Sequence, residues 1–388
     1  MDLDFTPRQL AFRDEARAWL ADHLPDEPLP AMDTPEGFER HREWEGVLHE
    51  DRWSVVAWPA AYGGRNVGLV EWLLFEEEYY RSGAPGRVNT NGISLLGPTL
   101  YAFGTDAQKD RFLPCMASGE EIWAQGWSEP DSGSDLASIS TKGIRDGEWF
   151  VLDGQKTWCS RGAWADWMFC IVRTDPDSER HRGLSYLLVP ADAEGLERRA
   201  VGRLDGEPAF AELFFDGCRV HESNLLGGEG EGWNVAMATT SSERGLNLRA
   251  PGRFLASADR LTDLYRELVE DGSADPGLLD EVVRAWTGAQ AYRWQTYRTA
   301  ARLSGGGELG AASSMMKVFW SELDVELHAT ALRLLGDRAE LVDAAPDAVD
   351  GGSWMSGYLF SLSGPIYAGT NEIQRNIIAE RVLGLPRK

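Results

Sequence analysis

Three short segments of this 388-residue chain combine residue types that can hold a polar, flat or anionic ligand. Residues 127–135 gather hydroxyls, small residues and backbone amides in one turn, which can cradle the polar edge of a ligand. Residues 154–160 form a strand-like run that carries the indole of Trp158 and, two residues on and on the same side, the hydroxyl of Ser160. Residues 367–375 form a glycine turn that enters a helix, whose first amides can meet an anion. Taken singly, the three also fit a surface loop, a half-buried tryptophan in a sheet and a helix cap.

Helices are predicted at both ends of the chain. Thr6 can cap the first helix, with Pro7 in its first turn and Gln9 at the capping-box position, and this helix runs to about Leu24. Further helical patterns cover residues 38–51, 70–81, 106–118, 255–270, 278–303, 315–335 and 371–383. Two weaker stretches, 270–276 and 344–353, are predicted to be surface loops.

Short β-branched and aromatic runs between the helical parts predict a sheet. They lie at residues 149–151, 167–172, 184–189 and 211–215. Asp146-Gly147 and Asp216-Gly217 are typical of hairpin turns, so the sheet is expected to be antiparallel. The pattern is therefore helix, sheet, helix, with the sheet between about residues 120 and 230.

Composition limits the possible partners. The chain has 62 Asp+Glu against 38 Lys+Arg, a net charge of −24, which repels phosphate backbones and anionic membrane surfaces. Nucleic acid and membranes are therefore excluded as main partners. No apolar run is long enough to span a bilayer and the first residues have no signal-peptide pattern, so a cytoplasmic location is expected. The length suggests two or three domains.

Metal and serine-nucleophile chemistry have no support in the sequence. The six histidines show no metal-ligand spacing, so no metal site is expected, and no Gly-x-Ser-x-Gly turn occurs. Cys115, Cys159, Cys170 and Cys218 are scattered, and we expect them to be reduced and mostly structural.

The order and spacing of the three segments on a helix, sheet, helix chain resemble the acyl-CoA dehydrogenase family, from about Leu3 to Pro386. The resemblance implies an α+β fold with an N-terminal helical domain (1–120), a central antiparallel β-domain (121–232) and a C-terminal four-helix bundle (233–388). It also implies that FAD lies between the last two domains and that the enzyme is an oxidoreductase acting on CH–CH groups.

The resemblance assigns roles to individual positions. Trp127 and Ser128 would lie at the flavin ring, Trp158 would flank it, and Ser160 would donate to N5. The full set of implied cofactor residues is Gln125, Trp127, Ser128, Ser134, Trp158, Ser160, Thr370 and Glu372. The implied substrate contacts are Ser134, near the pantetheine arm, and Arg244, Ala368 and Gly369.

The general base departs from the commonest family pattern. Many members carry a glutamate directly before the Gly-Thr of the third segment, where this chain has Ala368. Another branch supplies the glutamate from a helix early in the C-terminal domain, a position that Glu243 matches, with Arg244 beside it. Glu243 is therefore predicted to remove the α-proton while a hydride leaves the β-carbon for flavin N5, giving a trans-2-enoyl-CoA. The alternative is that this pair belongs to a solvated helix face.

The chain also departs from the family at positions that reach a neighbouring subunit's cofactor. Residues 261–276 contain Arg266 but no Phe-Gly, and a later Gly-Gly turn reads Gly336-Asp337. This resembles the actinobacterial heterotetramers of two different chains, among them enzymes acting on steroid side chains. The alternative is a homotetramer whose contacts diverged.

The remaining expectations concern the acyl group, the electron acceptor and the alternative functions. The smaller Ala368 suits a branched, ring-bearing or steroid acyl group. The family normally passes electrons to an electron-transfer flavoprotein. Alternative functions are a base-supplying or non-catalytic subunit of a heteromeric enzyme, and a same-fold flavin monooxygenase or nitroalkane oxidase. Glu243 argues against the last two.

Overall fold

The computed structural model describes residues 4–204, 206–244, 251–307, 309–341 and 345–386, without the side chains of 241–244 and 312. The chain forms two compact units. We call residues 25–67 and 85–243 the sheet unit, and residues 1–24, 68–84 and 244–388 the helical unit. Within the described residues, no helix is long and apolar enough to cross a membrane.

The sheet unit is built on a sheet that has eight strands in the described part of the chain. They are β1 (Trp123–Gly126), β2 (Lys142–Asp146), β3 (Trp149–Ser160), β4 (Trp167–Arg173), β5 (Leu184–Pro190), β6 (Leu196–Val201), β7 (Phe210–His221) and β8 (Leu225–Leu226). The order is β6-β7-β3-β2-β4-β5-β8, with β1 pairing to β4. Most pairs are antiparallel as expected, but β1 and β2 both run parallel to β4. Buried apolar side chains, mostly from these strands, form the core of the sheet unit.

Four helices accompany these strands in the sheet unit's described residues: α2 (Pro35–Glu50), α4 (Gly97–Phe103), α5 (Asp106–Ser118) and α6 (Gly232–Arg244). α4 is not among the predicted helices. Pro98 lies in its first turn. A π-helical turn at Gly92–Leu96 leads into this helix.

The predicted hairpin turn at Asp216-Gly217 is wrong. β7 continues through these two residues, which lie opposite the single residue Asp153 of β3. Gly217 has φ +62° and donates its N–H to Asp153 Oδ1 at 2.9 Å. The pair therefore forms a β-bulge, in which glycine takes the left-handed conformation. Asp146-Gly147, by contrast, is the predicted turn between β2 and β3.

The helical unit contains the remaining described α-helices. They are α1 (Pro7–His23), α3 (Leu69–Arg81), α7 (Gly252–Glu270), α8 (Leu279–Ser304), α9 (Ser313–Leu335), α10 (Ser353–Ser361) and α11 (Asn371–Ile377). The capping box of Thr6 and Gln9 is present as predicted. A core of buried side chains from α7, α8, α9 and α10 includes Phe254, Leu261 and Trp320. The last predicted helix, 371–383, is helical through Val382, with a π-helical turn at Ile378–Val382 that directly continues α11.

Candidate functional site

A bulge in β3 presents Trp158. Lys156 pairs with Leu213 and Cys159 pairs with Ala211, so two residues of β3 oppose one residue of β7. Trp158 has φ +59°, an uncommon conformation for a bulky residue, and 61% of it is exposed. Bulges often re-aim side chains beside functional sites, and strained conformations persist where the surroundings enforce them. A large flat indole is therefore held out on the surface of the sheet unit.

The neighbours of Trp158 define this face. Its ring meets the Phe210 ring edge-on, with centroids 5.7 Å apart. Ser160 lies opposite Phe210 in register and is half-buried, whereas Cys159, between the two candidate residues, is fully buried. Trp158 and Ser160 thus flank a residue whose side chain belongs to the core.

The turn after β1 contains the next candidate residues. Gln125 is half-buried and pairs in register with Phe169 of β4. Trp127 is buried, and its ring meets those of Phe169 and Tyr186 edge-on at 6.3 and 6.0 Å. Trp127 is thus fixed by aromatic packing, and the half-buried Ser128 follows it.

Direct hydrogen bonds join this turn to β3. Thr157 N–H donates to the Ser128 carbonyl at 2.8 Å, and Lys156 Nζ donates to the Trp127 carbonyl at 3.2 Å. Lys156 Nζ also lies 2.8 Å from Glu129 Oε1. Within the sheet unit, the structure therefore brings together the Trp127–Ser128 turn and the Trp158–Ser160 segment.

Glu129 is buried yet charged. Burial raises the pKa of its carboxyl, but Lys156 and hydrogen bonds from Thr141 and Ser140 outweigh that effect and lower the pKa to about 2. Ser140 donates both its N–H (2.7 Å) and its hydroxyl (2.9 Å), and Thr141 donates its N–H (2.9 Å). Sequence inspection did not select Glu129 or Lys156, although a lysine among strand residues was a usable signal.

Ser134 lies on the exposed end of the same turn. The turn is closed by two backbone hydrogen bonds between Glu129 and Ser132, at 2.9 and 3.0 Å. Asp135, next to Ser134, pairs with Arg180 at 2.7 Å. Ser134 is thus accessible on an ordered loop.

The helical unit holds the third segment. Ala368 and Gly369 both have left-handed backbones, with φ of +55° and +78°, and Thr370 caps α11 by accepting the Ile373 N–H at 3.3 Å. Glu372 is exposed, and its own backbone N–H, followed by the Thr370 hydroxyl, lowers the pKa of its carboxyl. The segment is therefore a tight turn that leads into a capped helix, as the sequence predicted.

Buried polar side chains, which sequence inspection missed, hold this turn. Gln374 Nε2 donates to the Ala368 carbonyl at 3.0 Å. Lys317 Nζ donates to Asn371 Oδ1 at 2.8 Å, and the Ser321 hydroxyl donates to the same oxygen at 3.1 Å. The start of α11 is thus anchored to α9.

The side chains of Glu243 and Arg244, the predicted general base and its adjacent cation, lie outside the described part of the structure. The backbone of α6 extends to Arg244. The structure does describe the positions at which the chain departs from the family pattern beside a neighbouring subunit's cofactor. Arg266 forms a local pair with Asp263 at 2.9 Å, and Gly336 has φ +55° at the end of α9.

The four cysteines are free thiols, and three of them are buried. Burial raises the pKa of Cys170 and of Cys218 to about 12, so both stay protonated at neutral pH. Among the described residues, no three His, Cys, Asp or Glu side chains are arranged to hold a metal ion.

Three family models match consecutive parts of the chain. The acyl-CoA dehydrogenase N-terminal, middle and C-terminal domains match residues 6–120, 124–218 and 230–383. The chain belongs to the acyl-CoA dehydrogenase family. Acyl-CoA dehydrogenase IpdE1 of Mycobacterium tuberculosis is 40% identical over 384 residues, covering 97% of this chain and 98% of that protein.

Solved structures agree with this assignment. The Tcur3481–Tcur3483 steroid ACAD (acyl-CoA dehydrogenase) is 29% identical, with a TM-score of 0.90 and complete coverage of both chains. The ChsE4–ChsE5 complex from Mycobacterium tuberculosis is 31% identical, with a TM-score of 0.84 and complete coverage of both chains. The predicted fold and family are therefore confirmed, and the chain is similar to acyl-CoA dehydrogenases that form two-chain complexes. The residue boundaries of the three domains stay a prediction.

Proposed function

We propose that the chain catalyses the FAD-dependent α,β-dehydrogenation of an acyl-CoA thioester to the trans-2-enoyl-CoA, with Glu243 as the base. The observation that carries this proposal is the bulge that exposes Trp158 beside Ser160, tied to the Trp127–Ser128 turn. Family membership supports it, because homologues with this fold are named acyl-CoA dehydrogenases.

The residues of this bulge fit a flavin. An exposed indole can pack against a flat ring, and the half-buried Ser160 hydroxyl can donate a hydrogen bond to its edge. Gln125, Trp127, Ser128 and Ser134 would complete the contacts of this unit, and Thr370 and Glu372 would contact the dinucleotide. When bound, FAD would supply the acceptor for the hydride that leaves the β-carbon.

Proton removal is the task of the chain itself. An α-proton of a thioester is a weak acid, so the base needs a raised pKa in a site from which water is excluded. We assign this role to Glu243, with Arg244 as the adjacent positioning cation. A backbone N–H near Ala368 would stabilise the developing negative charge on the thioester oxygen.

The proposed substrate carries a branched or ring-bearing acyl group. Ala368 has a methyl side chain where many members carry a carboxylate, and its left-handed turn is held by Gln374. Similarity to a steroid ACAD supports the same proposal. Ser134 and Gly369 would contact the thioester arm.

We further propose that the chain transfers electrons to an electron-transfer flavoprotein. We also propose that it works in a tetramer with a second acyl-CoA dehydrogenase chain. On α8, Leu279, Val283 and Trp286 occupy one helix face and are 45%, 53% and 42% exposed. Apolar side chains grouped on a surface are typical of subunit contacts. The two-chain relative and the lack of a Phe-Gly in residues 261–276 support a partner of a different sequence over a homotetramer.

The same observations favour a second function, that of a base-supplying subunit whose partner completes the FAD site. The FAD-to-protein ratio and oligomer mass of the chain, alone and co-expressed with candidate partners, separate the two. About one FAD per chain in a homotetramer supports the complete enzyme. FAD that appears only with a partner supports the subunit role.

Glu243→Gln tests the base. We expect the variant to keep its FAD and its oligomer mass, while acyl-CoA bleaches the flavin about 10²–10⁴-fold more slowly than in the wild type under anaerobic conditions. Glu267→Gln, an exposed glutamate on α7, is the matched control and should bleach normally. Unchanged bleaching in Glu243→Gln would refute the assignment.

A further inference from the structure

Lys156 is a fully buried lysine whose ammonium has a partner for each of its three hydrogens. It donates to the Ile171 carbonyl of β4 at 2.6 Å, to Glu129 Oε1 at 2.8 Å and to the Trp127 carbonyl at 3.2 Å. The ammonium therefore joins β3 to β4 and to the turn after β1.

Both carboxylate oxygens of Glu129 accept two hydrogen bonds each. Oε1 accepts from Lys156 and from Thr141 N–H, and Oε2 accepts from the N–H and the hydroxyl of Ser140. A buried ion pair is tolerated when hydrogen bonds satisfy both partners, and its directional bonds specify one arrangement more strictly than apolar packing does.

The Glu129–Lys156 ion pair lies directly before the bulge in β3 that exposes Trp158. Lys156 is the last residue of β3 in regular register with β7 before the bulge, and Trp158 lies two residues later. In a regular strand Lys156 and Trp158 would share a face, yet Lys156 is buried and Trp158 is exposed. The bulge reverses the side-chain alternation, and the three bonds of Lys156 hold the strand at the point where the reversal begins.

From this geometry we infer that the Glu129–Lys156 ion pair is a positioning element for the flavin ring. It holds the Trp158 bulge and the Trp127–Ser128 turn in one fixed arrangement. Neither side chain is a catalytic residue, because both act through the segments that they join. The inference rests on the proposed FAD binding.

The experiment measures FAD binding and the flavin environment in Lys156→Met, Glu129→Gln and the double variant. The protein is the holoenzyme, co-expressed with a partner chain if FAD retention requires one. FAD affinity is measured by equilibrium dialysis. The flavin environment is measured by the visible absorption band and by flavin fluorescence, which a stacked indole quenches.

We expect each single variant to raise the dissociation constant of FAD at least tenfold and to shift the flavin band, with partial recovery of fluorescence. The double variant contains no unpaired buried charge, so it should regain much of the unfolding midpoint lost in the single variants. It should nevertheless keep the altered flavin spectrum, because the thioether that replaces the ammonium cannot donate to the Trp127 and Ile171 carbonyls.

Glu77→Gln is the matched control. Glu77 is a buried glutamate of the helical unit that Arg293 holds through two hydrogen bonds, at 2.7 and 2.8 Å. Its loss should lower the unfolding midpoint while FAD affinity and the flavin spectrum stay those of the wild type. Loss of stability alone is thus separated from loss of positioning.

Wild-type FAD affinity and spectrum in the double variant would overturn the inference. Equal spectral changes in Glu77→Gln would overturn it too, because general destabilisation would then explain them. If the wild-type chain bound no FAD, alone or with any partner chain, the proposed function would fail instead, and the two failures are therefore distinguishable.

Discussion

The ammonium of Lys317 on α9 donates a 2.8 Å hydrogen bond to the side-chain oxygen of Asn371, the first residue of α11. Lys317 is fully buried and Asn371 is nearly so. Thr370 and Glu372, the proposed dinucleotide contacts, flank Asn371. The bond thus fixes where α11 begins and, with it, the position of both neighbours.

Lys317→Met should lower the free energy of unfolding by about 1–3 kcal/mol, the range for a hydrogen bond that involves a charged group. Methionine keeps the length and apolar stem of lysine, so the lost bond dominates the effect. Urea unfolding measures the change. Lys142→Met, on an exposed lysine of β2, is the control and should stay within about 0.5 kcal/mol of the wild type. Equal stability of the two variants would contradict the anchoring role.

Ala368→Leu tests the proposed acyl group. The larger side chain should lower kcat/KM for ring-bearing or branched thioesters at least tenfold and change it little for butyryl-CoA, because only the bulky groups need the space. Steady-state assays with both substrate types measure the ratio. A wild-type enzyme that strongly prefers short linear chains would contradict the proposal before any variant is made.

Charge on the exposed face of α8 tests the proposed assembly. Val283→Glu and Trp286→Glu should each reduce the mass of the oligomer, because burying an unpaired carboxylate in an interface is costly. Light scattering after size-exclusion chromatography measures the mass. Leu204→Glu, at a leucine of the sheet unit that is 76% exposed, is the control and should leave it unchanged. An unaltered mass in all three variants would place the subunit contact elsewhere.

Local signals in the sequence predicted the helices well. The capping box of Thr6 and Gln9 lies where it was expected, and α5 begins and ends at the predicted residues, Asp106 and Ser118. Such capping signals act within a single helical turn. The two Asp-Gly pairs show the limit of this reasoning, because one is a hairpin turn and the other a bulge. At Asp216-Gly217, the pairing of β7 with the sequence-distant Asp153 region of β3 produces a bulge in place of a turn.

The candidate site shows the same limit. Trp158 and Ser160 could be selected as a flat ring and a hydroxyl two residues apart, and both lie on β3 as predicted. The bulge before Cys159 depends on register with β7, so the burial of Lys156 could not be predicted from strict alternation. The partnership of Lys156 with Glu129 spans 27 residues and is visible only in the fold.

The lowered pKa of Glu129 makes part of the stability pH-dependent. Its folded-state pKa of about 2 lies below the ordinary value of about 4.3, so the unfolded chain binds a proton more readily. The contribution, about 3 kcal/mol at most, is fully present above about pH 5 and is lost as the pH falls towards 2. Glu129→Gln lacks this term at every pH.

The difference in unfolding free energy between the wild type and Glu129→Gln should therefore be largest near pH 7 and shrink steadily below pH 5. Urea unfolding at pH 7, 5, 4 and 3 measures it, and taking the difference removes the acid sensitivity that both proteins share. Glu148→Gln, on an exposed side chain of the same unit, should stay within about 0.5 kcal/mol of the wild type throughout. If the difference in unfolding free energy between the wild type and Glu129→Gln does not change with pH, the carboxylate contributes through packing and the prediction is contradicted. A contribution from its charge requires the difference to shrink as the carboxylate is protonated at low pH.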